Sequence, residues 1–203
     1  MNEMAGPRHL LTRLMTCRGA IPLLLFVSLT CARSREEPVA AARAGSACVS
    51  TRNDVAGDHI GPLHLRMPAD SVRLVCQVQS DTTELAEGEP IRVIRIGVEG
   101  GSVRIWIERG AIHSIMVESP AFRTADSIGV GSPLARLLEY RDLTGGYGEG
   151  DYYVMSDSAS ACGLSFLMDF RVSGKRPPVD GSRKALAPFA STAKVSGILI
   201  RGC

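Results

Sequence analysis

The chain has 203 residues, of which 45% are apolar and 22% charged, a balance that excludes a disordered or collagen-like protein and suits one domain of ordinary size. Its formal net charge is +2, and of 23 basic and 21 acidic residues the first 30 positions hold three arginines and one glutamate, leaving 20 of each sign beyond them. A neutral body lacks the clustered Lys and Arg of a nucleic-acid footprint, so no nucleic-acid partner is expected.

Residues 1–18 are basic, carrying Arg8, Arg13 and Arg18, and Gly19 to Thr30 follows as an apolar run. That run is shorter than the roughly 20 residues a membrane span needs. A basic head before an apolar core of roughly 7–15 residues is the pattern of a signal peptide, here 1–31. Two processing routes are open. Cleavage falls after Thr30-Cys31-Ala32, or Cys31 at the end of Ser28-Leu29-Thr30-Cys31 becomes the lipid-modified first residue of a lipoprotein. Either route exports the domain, which is expected in the periplasm or anchored to the membrane by lipid alone. Residues 32–50, rich in Ala, Arg, Glu and Ser with no apolar period, read as a flexible linker.

Six cysteines are present. Cys17 and Cys31 belong to the leader, and Cys48, Cys76, Cys162 and Cys203 remain for the mature domain. An even set of four in an exported chain predicts two disulfides, with three pairings open. Cys162 opens one strand candidate and Cys203 ends another. If those strands are neighbours, Cys162 pairs with Cys203 and Cys48 with Cys76. No CxxC occurs, and no histidine lies near a cysteine pair, so no metal centre is expected.

The body, 51–203, reads as a single α+β domain of two similar halves, 60–119 and 121–203. Leu63 and Leu65 share one face of a short strand, Pro68 opens a helix, and Val72, Val75 and Cys76 supply its apolar stripe. The polar run Gln79 to Glu89 reads as a loop. Ile91 to Val98, Val103 to Glu108 and Ala111 to Glu118 are strands, with Val103, Ile105 and Ile107 alternating against Arg104, Trp106 and Glu108. In the second half Ile128 and Val130 match Leu63 and Leu65 when Pro133 is laid on Pro68. Ser132 is placed as helix N-cap, and Leu134, Leu137 and Leu138 form an apolar stripe. Gly145, Gly146 and Gly148 read as a flexible break. Tyr152 to Met155, Leu164 to Phe170 and Val195 to Arg201 are three more strands. Each half is thus strand, helix and three strands, with helices packed on an antiparallel sheet.

No catalytic signature is present: GxSxG, GxxxxGK[ST], HExxH and CxxC are all missing. Gly129-Val-Gly131 is a tight strand-to-helix turn, because Leu134 stands where GxGxxG needs its third glycine. Of the histidines, His9 leaves with the leader. His64 faces outward from the buried leucines, and His59 and His113 lie in no recognisable catalytic pattern. Asp151, Asp157 and Asp169 lack calcium-loop spacing. Tyr147, Tyr152 and Tyr153 beside the glycine-rich stretch, together with Trp106, are the candidate interaction residues, since aromatic side chains are favoured at interfaces.

Gly61-Pro-Leu-His-Leu-Arg-Met-Pro68, the stretch FRTADSIGVGSPL from Phe122 to Leu134, and CGLSF from Cys162 to Phe166 together carry a family resemblance. The chain from Gly61 to Cys203 resembles uncharacterised bacterial lipoproteins and secreted proteins. Their tandem helix-plus-sheet halves are similar to the β-lactamase-inhibitor-like and small-protein-A-like (outer-membrane assembly lipoprotein) architecture. The resemblance implies protein binding in the cell envelope, without a cofactor. The function expected is therefore a non-enzymatic exported protein that binds an envelope protein or peptide through its sheet face and glycine-rich loops. The alternative is a small exported hydrolase with a pocket between the halves.

Overall fold

A computed structural model of the chain describes residues 48–49, 55–86, 88–148, 150–159, 161–171 and 176–203. The expected signal peptide with Cys31, and all of the linker but Cys48 and Val49, lie outside these residues.

Among the described residues, ten strands and three short α-helices follow in order. They are β1 (His59–Ile60), β2 (Leu63–His64), α1 (Ala69–Val75), β3 (Val78–Ala86), β4 (Glu89–Val98), β5 (Gly101–Glu108), β6 (Ala111–Val117), α2 (Leu134–Leu137), β7 (Leu143–Gly148), β8 (Asp151–Ser156), β9 (Leu164–Asp169), α3 (Arg183–Leu186) and β10 (Lys194–Ile200). β1 and β2 form a small hairpin. The other eight strands form one antiparallel sheet in the order β3-β4-β5-β6-β10-β9-β8-β7.

The expectation of helices packed on a sheet is overturned. The domain is mostly β, and its described α-helices have seven, four and four residues. α1 stops at Val75 because Cys76 turns extended (φ −132°, ψ 147°) and is bonded to Cys48. The second helical stripe shrinks to one turn. Past it, Arg183 of α3 reaches back to donate to the carbonyls of Leu138, Tyr140 and Arg141, satisfying acceptors that a longer helix would have used itself.

Each half supplies four strands to the large sheet rather than three. The missed strands, β3 and β7, are its two edges. β3 contains most of the run expected to be a loop, Gln79 to Ala86, and Glu89 at its end opens β4. β3 is polar because an edge strand with one wet side has no need of apolar alternation, and charge along an edge discourages pairing with another chain. Thr82 and Thr83 are β-branched and favour the extended form. β7 contains the glycines expected to be a break. A Cβ on Gly145 would lie 2.7 Å from the Tyr152 hydroxyl, and one on Gly181 would run into the Gly145 backbone, so close approach excludes a side chain at these two positions, whereas Gly146 and Gly148 have room for one.

The turns entering α1 and α2 carry the same three bonds to the last strand of their halves. Arg66 N donates to Ile112 O (2.8 Å), Ile112 N to Met67 O (2.8 Å) and Ala69 N to Gly110 O (2.9 Å). Gly131 N donates to Val195 O (2.8 Å), Val195 N to Ser132 O (2.9 Å) and Leu134 N to Ala193 O (2.9 Å). Ser132 is not the N-cap of α2; Pro133 holds that position. The Ser132 hydroxyl instead accepts from Gly129 N (3.0 Å) and Arg123 Nη1 (3.0 Å), locking the turn.

The main core lies on one face of the sheet. Val103, Ile105, Ile115, Val117, Phe166, Ile198 and Ile200 meet Ile60, Leu63, Val72, Ile128, Leu134, Leu137 and Leu186 from the covering turns and helical stubs. Cys48 is bonded to Cys76 (Cα–Cα 4.8 Å) and Cys162 to Cys203 (5.3 Å). These are the bonds of a protein that folds in an oxidising, exported compartment. No described helix is long and apolar enough to cross a membrane.

Candidate functional site

The second face of the sheet has its own apolar floor. Registers place Val93 opposite Trp106, Trp106 opposite Ser114, and Leu199 opposite both Met116 and Ser165. All of these side chains point away from the main core, because neighbours along each strand alternate between faces. Val93, Met116 and Leu199 are nevertheless 0%, 5% and 2% exposed. Burial on this face needs a second covering, and the sheet itself supplies it. Ala86 of β3 and Asp151 of β8 line one cavity although six strand spacings separate their strands. A flat sheet would hold them roughly 29 Å apart. The sheet therefore curls about this face.

The cavity has a volume of about 370 Å³, within the usual range for ligand pockets, roughly 300–1,000 Å³. Met116 and Leu199 form its floor, Ile91, Trp106 and Tyr153 its walls, and His113, Asp151 and Arg201 bring ionisable groups. It straddles the β6–β10 seam, where the halves of the sheet meet. Trp106 is held by Arg104, whose guanidinium lies 5.6 Å from the ring centroid in a cation–π contact. Arg104 is in turn bonded to Glu118 (2.9 Å), which also accepts from Ser102 (2.7 Å). The tryptophan thus has a built support rather than a free swing.

The three tyrosines do not act together. Tyr153 lines the cavity, whereas Tyr152 is buried against Phe170 on the core side, with ring centroids 5.1 Å apart. Burial pushes the Tyr152 hydroxyl pKa up. Tyr147 is 57% exposed on edge strand β7 and meets Tyr152 edge to face. Tyr147 and Tyr152 instead border a shallower recess with Phe170, Arg171 and Arg176.

His113 and Ser114 are adjacent in the cavity wall, and His113 Nδ1 lies 3.1 Å from the Glu108 carboxylate. A hydrolytic relay requires the serine hydroxyl to be bonded to the imidazole. Among the described residues no hydrogen bond joins them. His113 instead occupies the irregular step where pairing passes from Trp106–Ser114 to Ile107–Ile112. A separate cluster, Asp58, His59 and His64, lies on the β1–β2 hairpin, with ligand atoms within 4.8 Å of one another.

Sequence reasoning missed Met116, Leu199, Ile91, His113, Asp151 and Arg201 as cavity residues. Each strand contributes one or two of them, and no local pattern distinguishes them. The opposition of His59 and His64 was more accessible, since Gly61-Pro62 between Ile60 and Leu63 is a two-residue turn signal.

No family model matches the chain, and no curated protein matches it. A solved structure that does is that of the uncharacterised protein yfeY from Escherichia coli. The likeness covers 74% of this chain and 99% of that one, with a TM-score of 0.54 and 15% sequence identity. At that identity the two share a fold, and the likeness carries no ligand or activity across.

Proposed function

We propose that this is an exported, non-enzymatic protein of the cell envelope. In this reading it is held in the periplasm or by a lipid on Cys31, and binds an extended peptide or a segment of a partner protein in the curled face of its sheet. The single observation that carries the reading is the cavity with an apolar floor on the face opposite the main core. An apolar partner side chain resting on Met116 and Leu199 would be flanked by Trp106 and Tyr153. Polar groups of the partner would meet His113, Asp151 and Arg201 at the margin. Rigid aromatic walls around a desolvated floor are the usual composition of an interface hot spot. The two disulfides support the exported setting.

The test is site-specific photocrosslinking in intact cells of the native organism. A photoreactive residue at Tyr153 should capture one consistent partner, whereas the same group at exposed Leu74, on α1, should not. Trp106→Ala should abolish the Tyr153 adduct while leaving thermal stability near that of the parent. Trp106 is the only tryptophan, so adding the purified partner should shift the intrinsic fluorescence. Equal capture at both positions, or a Tyr153 adduct that survives Trp106→Ala, would overturn the reading.

A further inference from the structure

The β1–β2 hairpin is a rigid mount for side chains that the cavity does not use. Ile60 and Leu63 pair with each other, and both are fully buried. Because side chains alternate along a strand, His59 and His64, also directly paired, are driven to the opposite side. Their rings stack with centroids 4.9 Å apart and planes at 28°. Asp58 Oδ1 lies 2.7 Å from His59 Nδ1, and all three residues have ligand atoms within 4.8 Å of one another.

The backbone beneath is tied at several points. Ala56 N donates to His59 O (3.0 Å), Leu65 N to Asp58 O (2.9 Å), and Gly202 N to Gly57 O (2.9 Å). A Cβ on Gly57 would collide with the Cys162 carbonyl, so this loop lies directly on the Cys162–Cys203 crosslink.

We propose that Asp58, His59 and His64 form a binding site for a divalent transition-metal cation of the Zn²⁺ or Cu²⁺ type. Two imidazoles and one carboxylate are the donors that such borderline cations select, whereas Mg²⁺ and Ca²⁺ require oxygen cages. Metal–ligand bonds of roughly 2.0–2.2 Å bring tetrahedral donors to roughly 3.3 Å of one another. Rotation of the exposed His64 ring brings it toward the other donors without moving the hairpin. The cation then replaces the proton between His59 and Asp58. Three protein ligands leave a coordination position for water or for a donor group of a second molecule. The four disulfide-bonded cysteines supply no competing thiolate.

Calorimetric titration of the untagged, oxidised full chain with ZnCl₂, and separately with CuCl₂, tests the assignment. The parent should bind one more equivalent than His64→Ala, and Asp58→Asn should weaken that equivalent by at least about tenfold. MgCl₂ should not compete. Bound Cu²⁺ should give an electron paramagnetic resonance spectrum with nitrogen couplings from two imidazoles, a signal that His64→Ala should lose. Both variants change exposed side chains, and unaltered melting in chelator establishes that they are folded. Identical titrations of parent and His64→Ala would overturn the proposal, leaving the two rings as a stacked pair held by Asp58.

Discussion

Asp81 offers a test of how the edge of the sheet is held. It stands on β3 and accepts two bonds from Arg92 of β4 (2.9 and 2.8 Å) and one from Arg73 of α1 (2.6 Å). The Arg92 bonds, reinforced by Arg73 and opposed by burial, bring its pKa from 3.8 down to about 2. A carboxylate whose pKa is lower folded than unfolded adds stability that is full above the unfolded value. That stability fades as pH falls from 3.8 toward 2. A displacement of this size corresponds to about 2.4 kcal/mol. Arg92 and Arg73 are 39% and 54% exposed, and solvent screening brings the expected contribution to about 1 kcal/mol. Asp81→Asn should therefore cost about 1 kcal/mol at pH 7 and pH 5, less at pH 3, and almost nothing at pH 2. Urea unfolding of both proteins at these four values measures it, with other carboxylates cancelling in the difference. A difference that stays constant from pH 7 to pH 2 would refute the electrostatic account and leave packing as the cause.

Three further substitutions probe the core and the crosslinks. Phe166→Ala removes a fully buried ring on β9 facing the main core, and thermal melting should report a loss of about 3–5 kcal/mol. Cys203→Ser opens a loop of 41 residues and Cys48→Ser one of 28. On chain-entropy grounds, urea midpoints should fall by the equivalent of about 4 kcal/mol for the first and slightly less for the second.

The legible parts of the fold were those where one strand faces a core and the next residue faces water. Val103, Ile105 and Ile107 against Arg104, Trp106 and Glu108 are such a case, and β5 lies where that alternation puts it. β3 and β7 escaped because edge strands are under a different constraint. One needs charge along its border and the other needs backbone close to Tyr152 and Gly181, and both demands erase apolar alternation. The helices were overestimated for a related reason. Apolar spacing near Pro68 and Pro133 marks a segment lying on the core, and a single turn satisfies that spacing as well as a long helix does. The cavity was illegible because its floor is spread over β6 and β10, with one residue from each. Met116 and Leu199 look like ordinary interruptions of their strands until the β6–β10 register sets them side by side.

That register also explains why two unrelated-looking features share one stretch of chain. Along β10 and just beyond, successive residues face different parts of the molecule. Leu199 forms the cavity floor, Ile200 enters the main core, and Arg201 reaches the cavity margin. Gly202 bonds Gly57 at the base of the histidine hairpin, and Cys203 is joined to Cys162. Alternation alone produces the first three placements, since a strand in the middle of a sheet must serve both faces. The last two turn the strand's end into a clamp on the loop that carries Asp58 and His59. A shift of β10 by one residue would exchange Leu199 for Ile200, remove the cavity floor and draw the clamp away from Gly57 at once. The crosslink at Cys203 opposes that shift from one side and pairing with β6 and β9 opposes it from the other. The cavity and the hairpin cluster are therefore held by the same register, although they lie on different faces and contain different chemistry.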